Sequence, residues 1–491
     1  MANKTSEGKV QLKSGLEIHQ QLDTHKLFCH CPSILRKDNP DIVIKRKLHM
    51  MAGEGGEIDE AVKFEAGRDR AFEYQGYFDN CCLVEYDESP PYEINKEALK
   101  IALQISLLLN CEIIQDSQIM RKTVINGSNT SGFQRTVLIA RNGNVETSFG
   151  DVSIDYVFLE EDSARPVSAK EEEDPELENS TRYKLDRLGI PLVEIATGPH
   201  MHTPEQIKEV ALKLGEILRA CKVRRGIGTI RQDVNISISH NGKTSERVEI
   251  KGFQDPKTMI LTVQKEMDRQ LNCLENNSCK REVRKANEDG TTSFLRPMPG
   301  AARMYPETDL PILHISRDLI NDAKKDLPRL KHEIKSELKS EGLSDEMINL
   351  ILDENKISDY KELLEVYDNP NLIAKMLVLW PRDIASHEKI SIEEVEKKLN
   401  LDILESVLVL VRDGKIEESQ AKKVLEDIIK GKKIEDALKI EKVDNLEGEI
   451  IKLVKEKPGL SSNAYMGLAM AKFKGKANGK EIMEILKKIV K

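Results

Sequence analysis

Gly15-Leu16-Glu17-Ile18-His19-Gln20-Gln21-Leu22 alternates apolar and polar side chains. In an extended chain successive side chains point to opposite faces, so Leu16 and Ile18 share one face and Glu17 and His19 the other. Two later stretches repeat the pattern. In Thr229-Ile230-Arg231-Gln232-Asp233-Val234-Asn235 the odd positions are polar and put Arg231, Asp233 and Asn235 together. In Arg247-Val248-Glu249-Ile250-Lys251 the same holds for Arg247, Glu249 and Lys251. Two more strands end in acids, Leu159-Glu160-Glu161-Asp162 and Pro191-Leu192-Val193-Glu194-Ile195. Any one of these, alone, is a half-buried strand with solvated acids on its wet face. Repetition of the pattern favours a face that does chemistry.

Outward from these strands, residues 1–310 are β-rich, with short alternating runs separated by Gly, Asn and Asp. Helices are predicted at Glu97–Leu109 and Pro204–Cys221. The acidic segment 168–180 reads as a solvated loop. Character changes near Pro311, and from Asp318 nearly everything is amphipathic helix rich in Lys, Glu, Leu and Ile. Breaks are predicted at Asn369-Pro370, Trp380-Pro381, Asp413-Gly414 and Lys457-Pro458-Gly459. The fold class is therefore α+β: a β-rich body over 1–310, a helical domain over 311–420 and a small helical tail over 421–491.

The chain has 491 residues, 39% of them hydrophobic, enough for several cores. No apolar run approaches the ~20 residues of a membrane span, and residues 1–13 lack the apolar stretch of a signal peptide. The expected location is the cytoplasm, where eight Cys serve as thiols or metal ligands rather than disulfides. A net charge of -9, from 84 acidic and 75 basic residues, argues against a generic nucleic-acid coat but leaves room for a local basic patch.

Carboxylates with one histidine suit Mg²⁺ or Mn²⁺, hard cations that prefer oxygen. Such ions bridge nucleotide phosphates and offset charge during phosphoryl transfer. The loop Ile125-Asn126-Gly127-Ser128-Asn129-Thr130-Ser131-Gly132 follows Arg121-Lys122 and has the composition of an anion-binding nest or a plain turn. It is not a Walker A loop, having no Gly-Lys-Ser/Thr ending. Cys29-His30-Cys31, near His49, with Cys81-Cys82 further on, offers zinc ligands in Cys29, Cys31 and Cys82, although the irregular spacing better suits reduced thiols. Cys111, Cys221, Cys273 and Cys279 read as core or incidental residues. Near the C-terminus Lys472, Lys474, Lys476 and Lys480 surround Gly475 and Gly479 ahead of a helix, a fit for RNA phosphates or a solvated cap.

Taken together these segments resemble the B/E family of glutamyl-tRNA(Gln) amidotransferase subunits, over nearly the whole chain. The resemblance rests on the strands quoted above, on Asp186-Arg187-Leu188-Gly189-Ile190-Pro191 and on Val248-Glu249-Ile250-Lys251. Gly127–Thr136 and Ala301-Ala302-Arg303-Met304-Tyr305-Pro306-Glu307-Thr308-Asp309 look more like the archaeal E-type chain than the bacterial B-type chain. One departure is large. E-type chains carry an insert resembling an aspartyl-tRNA synthetase domain, and here only Cys273 to Lys280 stands at its place, too short for a domain.

The resemblance implies a cradle-shaped catalytic domain, then a helical domain and a tail that binds the tRNA body. It implies ATP-dependent γ-phosphorylation of the glutamate on Glu-tRNA(Gln), then conversion to Gln-tRNA(Gln) with ammonia from an asparaginase-like D subunit. No DNA or membrane partner is implied. By position, Glu17, His19, Glu161, Asp233 and Glu249 match the family's metal ligands, with Glu160 the alternative to Glu161 and Glu194 a neighbour. Glu17, His19, Glu161 and Glu249 are the expected catalytic set. Lys122, Ser128, Arg231, Arg303 and Tyr305 are candidates for nucleotide or tRNA-end contacts. Three other readings compete: a B-type chain with an amidase A subunit acting on Glu-tRNA(Gln) or Asp-tRNA(Asn), a non-catalytic tRNA scaffold, and a metal-dependent phosphohydrolase.

Overall fold

Strand Gln11–Gln21 forms with the two faces the alternation requires. Leu16 and Ile18 are buried in the main apolar core, while Glu17 and His19 line a cleft. The computed structural model describes residues 10–52, 56–68, 70–167, 180–253, 256–300, 304–354, 356–432, 445–472 and 479–489. It is α+β, and the chain divides into two compact units, 1–330 and 331–491.

The first unit is built on a 12-stranded, mostly antiparallel sheet. At its centre strand Gln11–Gln21 lies between Pro191–Thr197 and Ile230–His240. Beyond the first of these come Gly150–Glu161, Phe133–Thr147, Met120–Thr123 and Met304–Pro306. Beyond the second come Val248–Phe253, Glu282–Ala286 and Thr292–Pro297. One face of this sheet is covered by helices Lys96–Leu108, Pro204–Ala220 and Pro256–Glu275. Their apolar sides meet Leu16, Ile18, Val157, Leu159, Val234 and Ile250, all at most 1% exposed. With one face sealed by helices, the polar side chains of the same strands must lie on the other. Thr203 and Gln206 close a capping box at the start of Pro204–Ala220, which fixes where that helix begins.

The predicted helices at 97–109 and 204–221 agree with the structure to within a residue. Helix Glu60–Ala66 has no counterpart in the sequence reading. A small four-stranded sheet of Ile42–Arg46, Ala71–Gly76, Ser180–Lys184 and Arg165–Pro166 has its own aromatic core of Phe72, Tyr74, Tyr86 and Tyr183. The acidic stretch 168–179 lies outside the described residues. Around the change of character near Pro311, Leu310, Ile315 and Ala323 are buried in the core of the first unit, and Lys100 Nζ reaches Asp322 at 2.8 Å.

Among the described residues the second unit is built of helices, the first Lys331–Ser340 and the last Gly479–Ile489. One cluster, including Ile351, Tyr360, Leu377, Leu408 and Leu425, organises 338–429, and a second joins Leu446, Ile450 and Leu453 to Tyr465, Ile482 and Leu486. Asn369 caps a helix with Pro370 in its first turn, and Gly414 and Gly459 adopt positive φ where breaks are expected. Trp380-Pro381 is not a break. The π turn Lys375–Leu379 carries the helix through, with the Trp380 N–H reaching the carbonyl of Lys375 and the widened turn accommodating the proline.

Candidate active site

Register brings the polar face together. Glu17 stands opposite Asp233, His19 opposite Arg231 on one side and Glu194 on the other, and Asn235 opposite Glu249. The result is a cleft of about 1470 Å³ on the uncovered face, lined among others by Glu17, His19, Glu160, Glu194, Asp233 and Glu249. Lys122, Arg231 and Lys251 bring positive charge into it, and Ser128 sits on its wall.

The acids form two clusters that share His19. Ligand atoms of Glu17, His19 and Asp233 lie within 4.8 Å of one another, as do those of His19, Glu160 and Glu194. His19 Nε2 is 3.2 Å from Glu194 and 3.5 Å from Glu17, while its Nδ1 is buried without a hydrogen-bond partner. Burial opposes charge on His19, but the hydrogen bond and negative charge of Glu194, with Glu17, outweigh it and push the imidazole up to about 9. Burial and then the nearby Glu194 raise Glu17 to about 7. Burial also works against ionising Glu194, yet Lys122 and His19 hold it well below the usual carboxylate range. Lys122 bridges Glu160 and Glu194, the latter at 3.4 Å. Thr136 Oγ1 and Gln134 Nε2 also donate to Glu160, at 2.9 and 3.1 Å. Lys251 bridges Asp233 at 2.6 Å and Glu249 at 2.5 Å. An oxygen-rich set with one histidine and an unpartnered ring nitrogen fits a hard divalent ion such as Mg²⁺ or Mn²⁺.

Two expectations need correction, those for Glu161 and Tyr305. Glu160, not Glu161, belongs to the cleft. Val157 and Leu159 face the helices, so Glu161 follows them to the core side, where it pairs with Arg135 at 3.3 Å. Glu194, expected as a neighbour of the ligand set, touches both His19 and Lys122. Tyr305 turns away from the cleft wall that its neighbour Met304 lines, and meets Phe133 edge-on at 6.3 Å under Arg121. Arg303 lies outside the described residues. Lys251 also belongs in the site; alternation puts it on the right face without giving it a role.

A second cluster lies in the smaller sheet's neighbourhood. Cys29, Cys31 and Cys82 converge with Glu85, all four ligand atoms within 4.8 Å. Cys29 Sγ donates to Glu85 at 2.8 Å, and hydrogen bonds from Cys29 and Cys31 hold the Cys82 thiol far below its ordinary value. Fully buried Lys26 approaches Glu85 at 3.3 Å. Cys81 faces elsewhere, hydrogen-bonded to Asn80. Sequence reading missed Glu85; the acid three positions after Cys82 was the available signal. Near the C-terminus Lys472 pairs with Glu449 at 3.1 Å, whereas Lys474, Lys476 and the side chain of Lys480 lie outside the described residues.

This sheet, with an acid-, lysine- and histidine-bearing cleft on its uncovered face, defines a catalytic domain, and residues 12–321 match the family described as the GatB/GatE catalytic domain. The chain belongs to that family. It is 35% identical to the E-type chain of glutamyl-tRNA(Gln) amidotransferase from Methanocaldococcus jannaschii, over 98% of this chain and 99% of that one. It is 34% identical to the corresponding protein of Archaeoglobus fulgidus over 98% of both chains, and 31% identical to that of Thermococcus sibiricus over 97% of both. The alignment with the M. jannaschii protein spans 642 residues against the 491 of this chain, so that relative carries residues with no counterpart here. At the place expected for an insert, helix Pro256–Glu275 passes to strand Glu282–Ala286 through the short link 276–281. Among the described residues no helix is long and apolar enough to cross a membrane.

Proposed function

We propose that this chain activates the glutamate of misacylated Glu-tRNA(Gln) with ATP and completes its conversion to Gln-tRNA(Gln). The ammonia comes from a separate asparaginase-like amidase. The observation that carries this reading is the convergence of Glu17, His19, Glu160, Glu194, Asp233 and Glu249 on one cleft, in a chain similar throughout to the archaeal E-type proteins. A carboxylate is a poor acyl donor. Transfer of the ATP γ-phosphate to the glutamate γ-carboxylate makes an acyl phosphate, and attack by ammonia at its carbonyl carbon expels phosphate. Such chemistry asks a protein mainly to position groups and screen charge.

Glu17, His19 and Asp233, with Glu160 and Glu194 on the other side of His19, would hold divalent ions, which when bound neutralise the phosphates. Lys122 and Arg231 orient anionic oxygens from the cleft walls. Ser128 offers a hydroxyl and a turn whose N–H is already fixed by Asn126 at 3.0 Å. Cys29, Cys31, Cys82 and Glu85 would hold a structural Zn²⁺, and the lysines around 472–480 would hold the tRNA body.

The test combines purified chain, an asparaginase-like partner, ATP, Mg²⁺, an amide donor and Glu-tRNA(Gln). Gln-tRNA should form only with both proteins, and the chain alone should hydrolyse ATP only when Glu-tRNA(Gln) is present. Amide formation by the isolated chain overturns the assignment. ATP turnover indifferent to acylated tRNA favours a metal-dependent phosphohydrolase instead.

A further inference from the structure

Lys251 sits where a cation would. Its Nζ lies 2.6 Å from Asp233 Oδ2 and 2.5 Å from Glu249 Oε1. Asp233 is one of the three residues, with Glu17 and His19, whose ligand atoms gather within 4.8 Å. The ammonium therefore holds the Asp233 carboxylate, which a divalent ion at this position also needs. The arrangement is imposed by the backbone. Val248 and Ile250, at most 1% exposed, lock strand Val248–Phe253 against the helices, which forces Glu249 and Lys251 into the cleft beside Asp233. Lys122 stands in the same relation to Glu160 and Glu194 across His19.

We infer that Lys251 is an internal counter-cation: it competes with the divalent ion for Asp233, and metal entry displaces it into the cleft. Acids this close repel unless a positive charge lies between them. An ammonium on a flexible four-carbon stem can supply that charge and then leave, because a divalent ion on the same oxygens interacts more strongly. Once displaced, Lys251 remains on the cleft face with its donors freed for a phosphate oxygen. Metal loading would then prepare the site for the nucleotide. The inference rests on the reading of these acids as metal ligands.

The test uses the full chain and Mn²⁺ alone, without nucleotide or tRNA, with free Mn²⁺ read by its paramagnetic resonance signal. Lys251→Met removes the competitor and should tighten Mn²⁺ binding by at least about tenfold, equivalent to ~1.4 kcal/mol. Lys251→Arg keeps the charge and should stay within about threefold of the parent. Adding Asp233→Asn to the Met variant should abolish the gain. In the parent protein, amine methylation followed by mass spectrometry should find Lys251 protected without Mn²⁺ and reactive with it, a readout that needs no variant to fold. Unchanged or weaker Mn²⁺ binding by the Met variant, or protection of Lys251 in both states, overturns the inference while leaving the metal reading intact. Absence of Mn²⁺ binding in parent and variant alike sinks both.

Discussion

Glu160 and Glu161 are neighbours in sequence with opposite surroundings, and exchanging either for its amide separates function from stability. Glu160 meets Lys122, Thr136 and Gln134 in the cleft, so Glu160→Gln should lower the rate of glutamate activation by at least ~100-fold. Glu161 balances buried Arg135, which also contacts Glu307 at 2.8 Å. Glu161→Gln should instead lower unfolding stability by about 1–3 kcal/mol and change the rate only a few-fold. Steady-state kinetics and urea titration of both variants decide it; equal rate losses would mean that the strand end faces both ways. His19 gives a pH signature. Its folded-state value of about 9 lies above the ordinary 6.5, so its contribution to stability is complete below 6.5 and disappears as pH rises through 9. Glu17, raised from 4.5 to about 7, acts in the same direction at lower pH. With chelator present, unfolding free energy should fall between pH 6.5 and 9 by on the order of 2–3 kcal/mol, and His19→Gln should flatten that slope. A slope unchanged in the variant would remove His19 from the account. The pairing of Glu17 with His19 was legible from alternation alone. So was the choice between Glu160 and Glu161, because Val157 and Leu159 are the apolar face; matching by family position favoured the wrong one.

At the scale of elements, the strands were legible because one face is apolar, and their order was not. Nothing local in Glu17 or Asp233 says that strands 11–21 and 230–240 are neighbours. Pairing between distant segments is a tertiary outcome, and it makes the cleft. The helix through Trp380-Pro381 was misread for a related reason: a π turn is a backbone adjustment with no fixed residue signature. The thiol cluster assembles from two segments, Cys29-His30-Cys31 and the turn Cys82–Glu85, where the Glu85 carboxylate accepts from the Cys82 N–H at 2.8 Å. If it is a zinc site, purified protein should carry about one Zn²⁺ per chain, and Cys82→Ser or Glu85→Gln should lower that content and the melting temperature together. Melting that ignores both substitutions and added chelator would make the cluster a set of reduced thiols.

On the scale of the whole molecule, the proposed tRNA substrate would have to meet local positive charge on an acidic chain of net charge -9. The helices Leu446–Glu456, Ser462–Lys472 and Gly479–Ile489 share one apolar cluster, so a truncation test should remove 433–491 as a block. The Michaelis constant for Glu-tRNA(Gln) should rise at least ~10-fold and its salt dependence flatten by roughly 0.7–0.9 in log–log slope per lost phosphate contact. The rate at saturating tRNA should change little, since the cleft lies wholly within the first unit. An unaltered Michaelis constant and slope would reduce the tail to a solvated cap. The central strand has another consequence, in time rather than space. Ser14 hydrogen-bonds Met201, 187 residues later, and both neighbours of strand Gln11–Gln21 come from beyond residue 190. At roughly 5–20 residues per second, a ribosome takes about ten to forty seconds to deliver the first of those neighbours. Until then the segment that will become the middle of the sheet has two open edges, and half of the Glu17–Asp233 pair does not yet exist. The nascent chain thus has to be kept from premature strand pairing over that interval, a demand created by topology and independent of how stable the finished sheet is.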